Sequence, residues 1–541
     1  MKIFDFISFS KKYDYLSVFL FILIFWFIIL ITSGSLFSGY HFTDDHEIAH
    51  INYNLTVQKL GIFEVSSQWI HNDLLTGRFR PFYYIHRILE TRLLGVNFVW
   101  WSLYTGMLAV LTTFFLFIFG KLIRFSISEA LLFSFLTTLG SQSAVWWQLG
   151  PAETIGTFLL AVALVFAAAQ ITGRDTALPC PYILSTWNKV YKSLYETLFI
   201  FFVLIMSLSK ESFILMIPAI ALIKVWMSRH LKSLSWQQSL KKNSLSISIL
   251  GVFFIVEILL VKFYIGLTPE IGYAGVEGFS LSKTITATQN LSQAGYWWII
   301  LASFIGMRLT IKPPYSQSLP QILNVLYFPI ILLLLVAVPQ ILLYAKSGIA
   351  QRYILPGILG YAFLIISLYN YLNKTYQFAA KLILFLIMIS LSFNLIVAWD
   401  AAHTFAREGI STNALLRTIE ARNKVNDQIL IVSNPHLSYE WSLSIKKYLN
   451  YVSNRNNLYF HSYVNKNNFF LKKVESFYDY QTLDKIKNTV DVQCVVLFPG
   501  QKNIFLRNSS WFLTDKFKEY EFGNFNRNLN KNTKIYLYCK K

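Results

Sequence analysis

The sequence predicts a polytopic α-helical membrane protein that ends in a small extracytoplasmic α/β domain, and three observations predict it. The 541 residues are 55% hydrophobic and 17% aromatic, with mean hydropathy +0.46, too apolar for a soluble chain of this length. Apolar runs long enough to cross a bilayer recur at about eleven places before residue 399. After Asp400 they stop, and helix-like and strand-like segments alternate instead.

The first run, Tyr15 to Leu36, follows Lys2, Lys11 and Lys12. It is longer than a signal-peptide core and lacks a small-x-small cleavage pattern, so it reads as a retained helix. Further runs lie near 97–119, 126–147, 152–171, 195–209, 211–227, 245–266, 294–310, 323–345, 353–372 and 380–398. With the N-terminus inside, an odd count puts the tail outside. Loop charges agree: Lys121, Arg124, Arg174, Lys189, Lys192, Arg229, Lys232, Lys241, Lys242, Lys312, Lys374 and Lys381 fall inside, against only Lys210, Lys283, Lys346 and Arg352 on the short outer segments. The chain thus divides into a membrane domain, residues 1–399, and a soluble domain, residues 400–541. The net charge of +20 spreads over both, with 21 basic and 12 acidic residues from Asp400 onward. Charge that flanks spans sets topology and meets membrane lipids, so nucleic acid is not implied.

The longest outer connection, residues 38–96, opens with HFTDDHEIAHINYNLTVQKLG, His41 to Gly61. Thr43 or Asp44 suits an N-cap, Asp44 and Glu47 have capping-box spacing, and Ile48, Ile51, Leu55 and Leu60 share a face before Gly61 ends the helix. Capping accounts for two of the three acids and leaves Asp45, so a cap that also orients a reactive carboxylate stands beside pure capping. Phe63 to Leu75 and then GRFRPFYYIHRILETRLLG, from Gly77, mix Arg with aromatics as juxtamembrane helices in a headgroup layer do.

Later outer segments add charge. Glu153 follows a Gly-Pro turn, where it is either a helix-terminal charge or part of a site. Lys210 and Glu211 interrupt an apolar run, marking either the interface or a polar cavity. Glu257 is embedded near mid-membrane and calls for a partner such as Lys262. Leu267 to Gln293 has the composition of a mobile lid or of a plain connector. YAKSGIAQRYILPG puts Lys346, Arg352 and Tyr353 at the outer end of a span, and a guanidinium fork there suits a phosphate.

In the tail QILIVSN and VQCVVLFPG read as strands, and KIYLYCK as a last strand. There is no GxGxxG, P-loop, CxxC pair or HExxH, and the nine His show no metal-ligand spacing. Cys180 lies in a connecting loop; Cys494 and Cys539 could pair in an extracytoplasmic domain, but their apolar strand contexts favour two unpaired, inward-facing thiols.

In order along residues 1 to about 400, FTDDHE, GRFRP, SKES and QRYILP resemble the GT-C superfamily of integral-membrane glycosyltransferases, near the branch of protein O-mannosyltransferases and lipid A aminoarabinose transferases. The resemblance implies a GT-C catalytic domain that takes a sugar from a polyprenyl-phosphate carrier and gives it to an envelope glycan, lipid or protein acceptor at the outer face. It implies Asp44 as general base, with Asp45 standing where many relatives have Glu, so that which of the two is the base stays open. It implies Lys210 and Arg352 as the phosphate seat; the topology read from the residues brings Arg78, Arg80 and Tyr353 to the same membrane face as further phosphate-binding candidates, with Glu153 and Glu211 to position acceptor or metal. If a metal is used, hard oxygen ligands favour Mg or Mn. The Asn, Lys, Ile and Phe bias resembles an AT-rich bacterial genome, hence a bacterial inner membrane with the tail in the periplasm. A lipid-linked-glycan flippase would show repeated halves and short loops, which the sequence lacks; a non-catalytic envelope scaffold would use only the basic tail.

Overall fold

The structure is a computed structural model that describes residues 14–75, 77–172, 186–265, 280–294, 296–310, 318–345, 351–463, 483, 486, 491–509, 516–523 and 534–541. Arg174, Cys180, Lys312, Lys346 and the first part of the expected lid, 267–279, lie outside the described residues. In chain order the helices are α1 (Asp14–Thr32), α2 (Asp45–Thr56), α3 (Ile62–Leu75), α4 (Pro81–Leu94), α5 (Phe98–Leu122), α6 (Ile127–Thr138), α7 (Ala152–Thr172), α8 (Thr186–Ser207), α9 (Glu211–Ile214), α10 (Ile217–Lys232), α11 (Trp236–Lys242), α12 (Ser244–Leu259), α13 (Leu281–Ala294), α14 (Trp297–Thr310), α15 (Ser318–Tyr344), α16 (Leu355–Thr375), α17 (Gln377–Arg422), α18 (Pro435–Tyr451) and α19 (Gln501–Ser509). Among the described residues nine helices are long and apolar enough to cross a membrane, so the protein is a multi-pass membrane protein.

Two of the expected spans differ. The run 126–147 is broken: α6 has 12 residues, Gly140 takes φ +137, and a 3₁₀ turn (Ser141–Trp146) follows. A Cβ at Gly140 would meet the Gln142 side-chain oxygen at 2.7 Å. The carbonyls freed by the break are claimed by donors, as low-dielectric surroundings require: the Gln142 amide donates to Leu136, Thr137 and Leu139, and the Tyr296 hydroxyl to Leu136 and Leu139. The other short helix, α14, has 14 residues. The latter part of the expected lid folds as α13.

The chain forms two compact units: Met1–Ile29, Ser66–His86 and Tyr104–Ala401, then Leu30–Val65, Arg87–Leu103 and Ala402–Lys541. In the first, Trp26 is fully buried, donates to Thr113 Oγ1 at 3.0 Å and packs on Trp146 and Trp147. Small residues let helices approach, as in many membrane bundles; at Gly156 the Phe213 ring fills the space of a missing Cβ. Lys224 on α10 is buried and donates to Glu196 at 2.6 Å and Ser246 at 3.0 Å, tying α8, α10 and α12 by an ion pair. Glu257 does not pair with Lys262, whose ammonium lies over the Phe263 ring; it is buried and accepts from Ser207 Oγ at 3.1 Å.

In the second unit a five-stranded sheet has order β2-β1-β3-β5-β4, from β1 (Gln428–Val432), β2 (Leu458–His461), β3 (Val492–Leu497), β4 (Phe517–Phe522) and β5 (Ile535–Lys540). β1 pairs with β2 and β3 in parallel, and β5 with β3 and β4 antiparallel. Ile429, Ile431, Val496 and Leu537 face one core with Leu415, Leu416 and Ile419 of α17. The sequence suggested a span that stops at 398 and a separate helix after it; instead α17 is continuous over 46 residues, about 69 Å, because AWDAAHTFA holds no Pro or Gly to break it.

Cys494 and Cys539, expected as free thiols, form a disulfide. The antiparallel register of β3 and β5 sets them directly opposite, which sequence spacing alone cannot reveal. Under denaturing, non-reducing conditions iodoacetamide should therefore leave both unmodified and label both after reduction, and the double Ser variant should lose about 2–4 kcal/mol of stability. Labelling of either without reduction would show that the bond does not form.

Candidate functional site

The expected site residues fall into two clusters, one in each unit. In the first unit Glu153 stands in the first turn of α7, and Lys210 and Glu211 form the turn between α8 and α9. Lys210 and Glu153 make a direct buried ion pair. The Lys210 ammonium also lies 3.9 Å from the Tyr353 ring centre, and the Arg352 guanidinium 5.0 Å from it. Arg352 donates to the Gln148 amide oxygen at 2.7 Å and to the Tyr353 hydroxyl at 3.0 Å, and Tyr353 stacks on Tyr344 at 5.0 Å. Two cations thus flank one aromatic ring at the end of the bundle, an arrangement worth more out of water than in it.

GRFRP joins the same cluster. Glu211 accepts from the Phe79 backbone N–H at 2.9 Å, which pins this loop to the α8–α9 turn. Arg80 turns its Nε and Nη2 edge to Asp73, at 3.2 and 2.6 Å, and reaches the Tyr84 hydroxyl at 2.9 Å. The expectation of Arg80 as a phosphate ligand therefore meets a resident carboxylate, and Asp73, absent from the sequence reading, is the reason. Arg78 stays cationic: burial and Arg80 pull its pKa down, but Glu211 and Asp73 raise it by more.

In the second unit the acids sit at the start of α2. Asp44 occupies the N-cap position without a side-chain cap bond, so the expected capping box does not form, and the helix ends at Thr56 before Leu60. The two carboxylates differ. Asp45 is 1% exposed and its Oδ2 accepts from the His41 backbone N–H at 2.9 Å and lies 3.1 Å from His41 Nδ1. Asp44 is half-buried. Arg87, fully buried, donates to the Asp44 carbonyl at 3.1 Å, lies 3.8 Å from Glu47 and covers Trp101 at 5.2 Å.

Residues far along the chain fix this segment. His41 stacks on Phe405 at 3.7 Å, with Nε2 3.2 Å from the Phe405 carbonyl. The Asn413 amide donates to the carbonyls of Ser38, Tyr40 and Gly409 at 2.9, 3.0 and 2.6 Å. Gly39, at φ +77, leaves room for that amide. Tyr40 donates to the Ser444 carbonyl at 2.8 Å, and Ser444 Oγ donates to the Thr43 carbonyl at 2.9 Å. His46 donates from Nδ1 to Thr43 at 2.6 Å; burial, with Lys447 adding to it, lowers its pKa to about 3, so it is neutral. Burial also lowers Lys447 to about 8, against the attraction of Glu47. Among the described residues no three His, Cys, Asp or Glu side chains converge as a metal site would.

This architecture has a counterpart of known structure. ArnT from Cupriavidus metallidurans in the apo state aligns over 98% of both chains with TM-score 0.50 at 12% identity. The chain has the GT-C fold. Two further GT-C structures are similar: the same ArnT bound to undecaprenyl phosphate, TM-score 0.47 at 11% identity over 97% of this chain and 98% of that one, and the Archaeoglobus fulgidus oligosaccharyltransferase in the apo form, TM-score 0.46 at 13% identity over 98% and 76%. No protein-family model and no curated protein matches the sequence.

In this GT-C fold the sequence alone did not single out Asp73, Arg87, Phe405, Gly409, Asn413, Ser444 and Lys447. Gly409 and Asn413, four apart on α17, offered a faint signal: two poor helix formers in one stripe of a long helix mark a close approach. A Cβ at Gly409 would meet His41 Nε2 and the Ser38 carbonyl, each at 2.5 Å. Gly409→Ala should then destabilise by about 1–3 kcal/mol in thermal unfolding, although Ala is the better helix former; an unchanged or raised Tm would contradict this packing.

Lys447 supplies a pH test. Its folded pKa lies below its unfolded value of 10.5, so the unfolded chain binds the extra proton between about pH 8 and 10.5. The burial cost is present in full below that window and is relieved as pH rises through it. Wild type should accordingly gain stability from pH 8 to 10.5 relative to Lys447→Met, and parallel curves would show that Lys447 titrates normally.

Proposed function

We propose that this protein transfers a sugar from a polyprenyl-phosphate carrier to an acceptor hydroxyl at the outer face of a bacterial inner membrane, with its C-terminal region in the periplasm. The observation that carries the reading is the pair of cations about Tyr353: Lys210 and Arg352, held by Glu153 and Gln148 at the end of the first unit. Such a seat suits a phosphate whose charge grows as the glycosidic bond breaks. The GT-C fold supports it, and so does the Cys494–Cys539 disulfide, which fits an oxidising compartment.

In this mechanism Asp44 takes the acceptor proton while the acceptor oxygen attacks the anomeric carbon. The carbon–oxygen bond to phosphate breaks, and the polyprenyl phosphate leaves with the electron pair, its new charge met by Lys210 and Arg352, with Arg78 alongside. One displacement inverts the anomeric centre. A phosphate leaving group needs electrostatic support more than a proton, so a single carboxylate suffices. Asp44 is assigned as base because it is the more accessible acid, whereas both contacts of Asp45 fix His41. Glu153 and Glu211 act through the cations and the loop they hold.

Native mass spectrometry with undecaprenyl phosphate tests the seat. Wild type should retain it, and Arg352→Gln should weaken retention by about tenfold or more, as loss of a charged hydrogen bond predicts. Asp44→Asn should keep the carrier but abolish sugar transfer, read from envelope glycans of a strain that relies on the variant. Failure of wild type to bind the carrier, or transfer surviving in both Asp44→Asn and Asp45→Asn, would sink the reading.

A further inference from the structure

The second unit holds a groove of about 700 Å³ that the transfer chemistry leaves unused. Its walls come from the chain just after α1, the α4–α5 connection and the outward face of α17. Phe37, Val96, Phe98 and Ile410 make one end apolar; Phe37 is 65% and Ile410 55% exposed, unusual for such side chains in water. Phe37 lies five residues beyond the first span, and Phe98 opens the second. The apolar end is thus continuous with two membrane helices at one surface of the bilayer.

The lining also carries polar groups, Ser38, Asn97, Asn413 and Arg417. Arg417 is exposed, and among the described residues no carboxylate pairs with it. It stands on the same face of α17 as Ile410 and Ala414, seven and three residues away, so the helix carries apolar contact and positive charge in one stripe leading away from the membrane. A volume in the range of small-ligand pockets, with an apolar end at the bilayer surface and one cation farther out, is complementary to an amphiphilic anion. Water-soluble anions have no use for the apolar end.

We propose that this groove binds an anionic lipid of the adjoining leaflet, its head taken by Arg417 and its chains laid against Phe37, Val96 and Phe98. Ser38, Gly39 and Asn413 also line the groove, and Asn413 holds the carbonyls that lead into His41 and Asp44. A lipid seated there buttresses the segment that carries the acid pair. The site does not depend on the transfer reading.

The test uses the full-length protein in mixed nanodiscs, with phosphatidylglycerol and phosphatidylcholine of the same chains as probes and retention read by native mass spectrometry. Wild type should retain phosphatidylglycerol at least about fivefold over phosphatidylcholine. Arg417→Gln should abolish the preference, and Ile410→Trp, which fills the groove, should lower retention of phosphatidylglycerol. Inorganic phosphate should not displace the bound lipid. Equal retention of the two lipids by wild type, a preference surviving both substitutions, or displacement by inorganic phosphate would overturn the proposal.

Discussion

The grip of α17 on the chain that leaves the first span is the constraint on which the second unit depends. A helix end and the extended chain beside it both present backbone carbonyls that must find donors away from water. One amide, Asn413, donates to two of them, on Ser38 and Tyr40, and to Gly409 of its own helix, while Phe405 and Gly409, two turns and one turn before it, supply a stacking surface and a gap. The grip works only if the helix remains unbroken past the membrane. That continuity places Leu415, Leu416 and Ile419 against the sheet, so one helix serves both the acid segment and the core of the C-terminal region.

The two adjacent aspartates show how neighbouring residues of one type can be given different work. On entering α2, successive side chains point about 100° apart, so only one of the pair can turn into the protein. Asp45 turns in, and there its charge is compensated by a backbone N–H and an imidazole. Asp44 stays half-buried, and Arg87 donates to its carbonyl. The contacts of Asp45 are committed to His41, and Asp44 is the more accessible of the two.

Much of this was legible in the sequence. Hydropathy gave the membrane architecture because spans are predominantly apolar, and the order of weak motifs along the chain gave the fold. The alternation after Asp400 gave the α/β class. What stayed hidden was pairing over long separations. Nothing near Arg80 announces that Asp73 is its partner rather than a ligand's phosphate, since Lys, Arg, Asp and Glu carry no mark of whom they meet. Asn413 and Ser444 lie hundreds of residues from the segment they hold. The break at Gly140 was invisible for a different reason: hydropathy is indifferent to whether an apolar run is helical, and only the side chains that satisfy the freed carbonyls, Gln142 and Tyr296, make the interruption tolerable.

The same reasoning separates the cations that hold the protein together from those that can serve a ligand. Arg87 and Arg80 are clamped by several contacts each, and removing either would leave buried acceptors without donors. Lys210 and Arg352 are different in kind. Each has a polar partner, but both also stand at the Tyr353 ring, where an ammonium and a guanidinium are close enough to share a field. Like charges converge on one ring at an electrostatic cost, which the ion pair of Lys210 with Glu153 lowers. Under the transfer proposed above, a dianionic phosphate arriving there would lower that cost and would be favoured over the intact diester, a selectivity of the sign that accelerates a displacement.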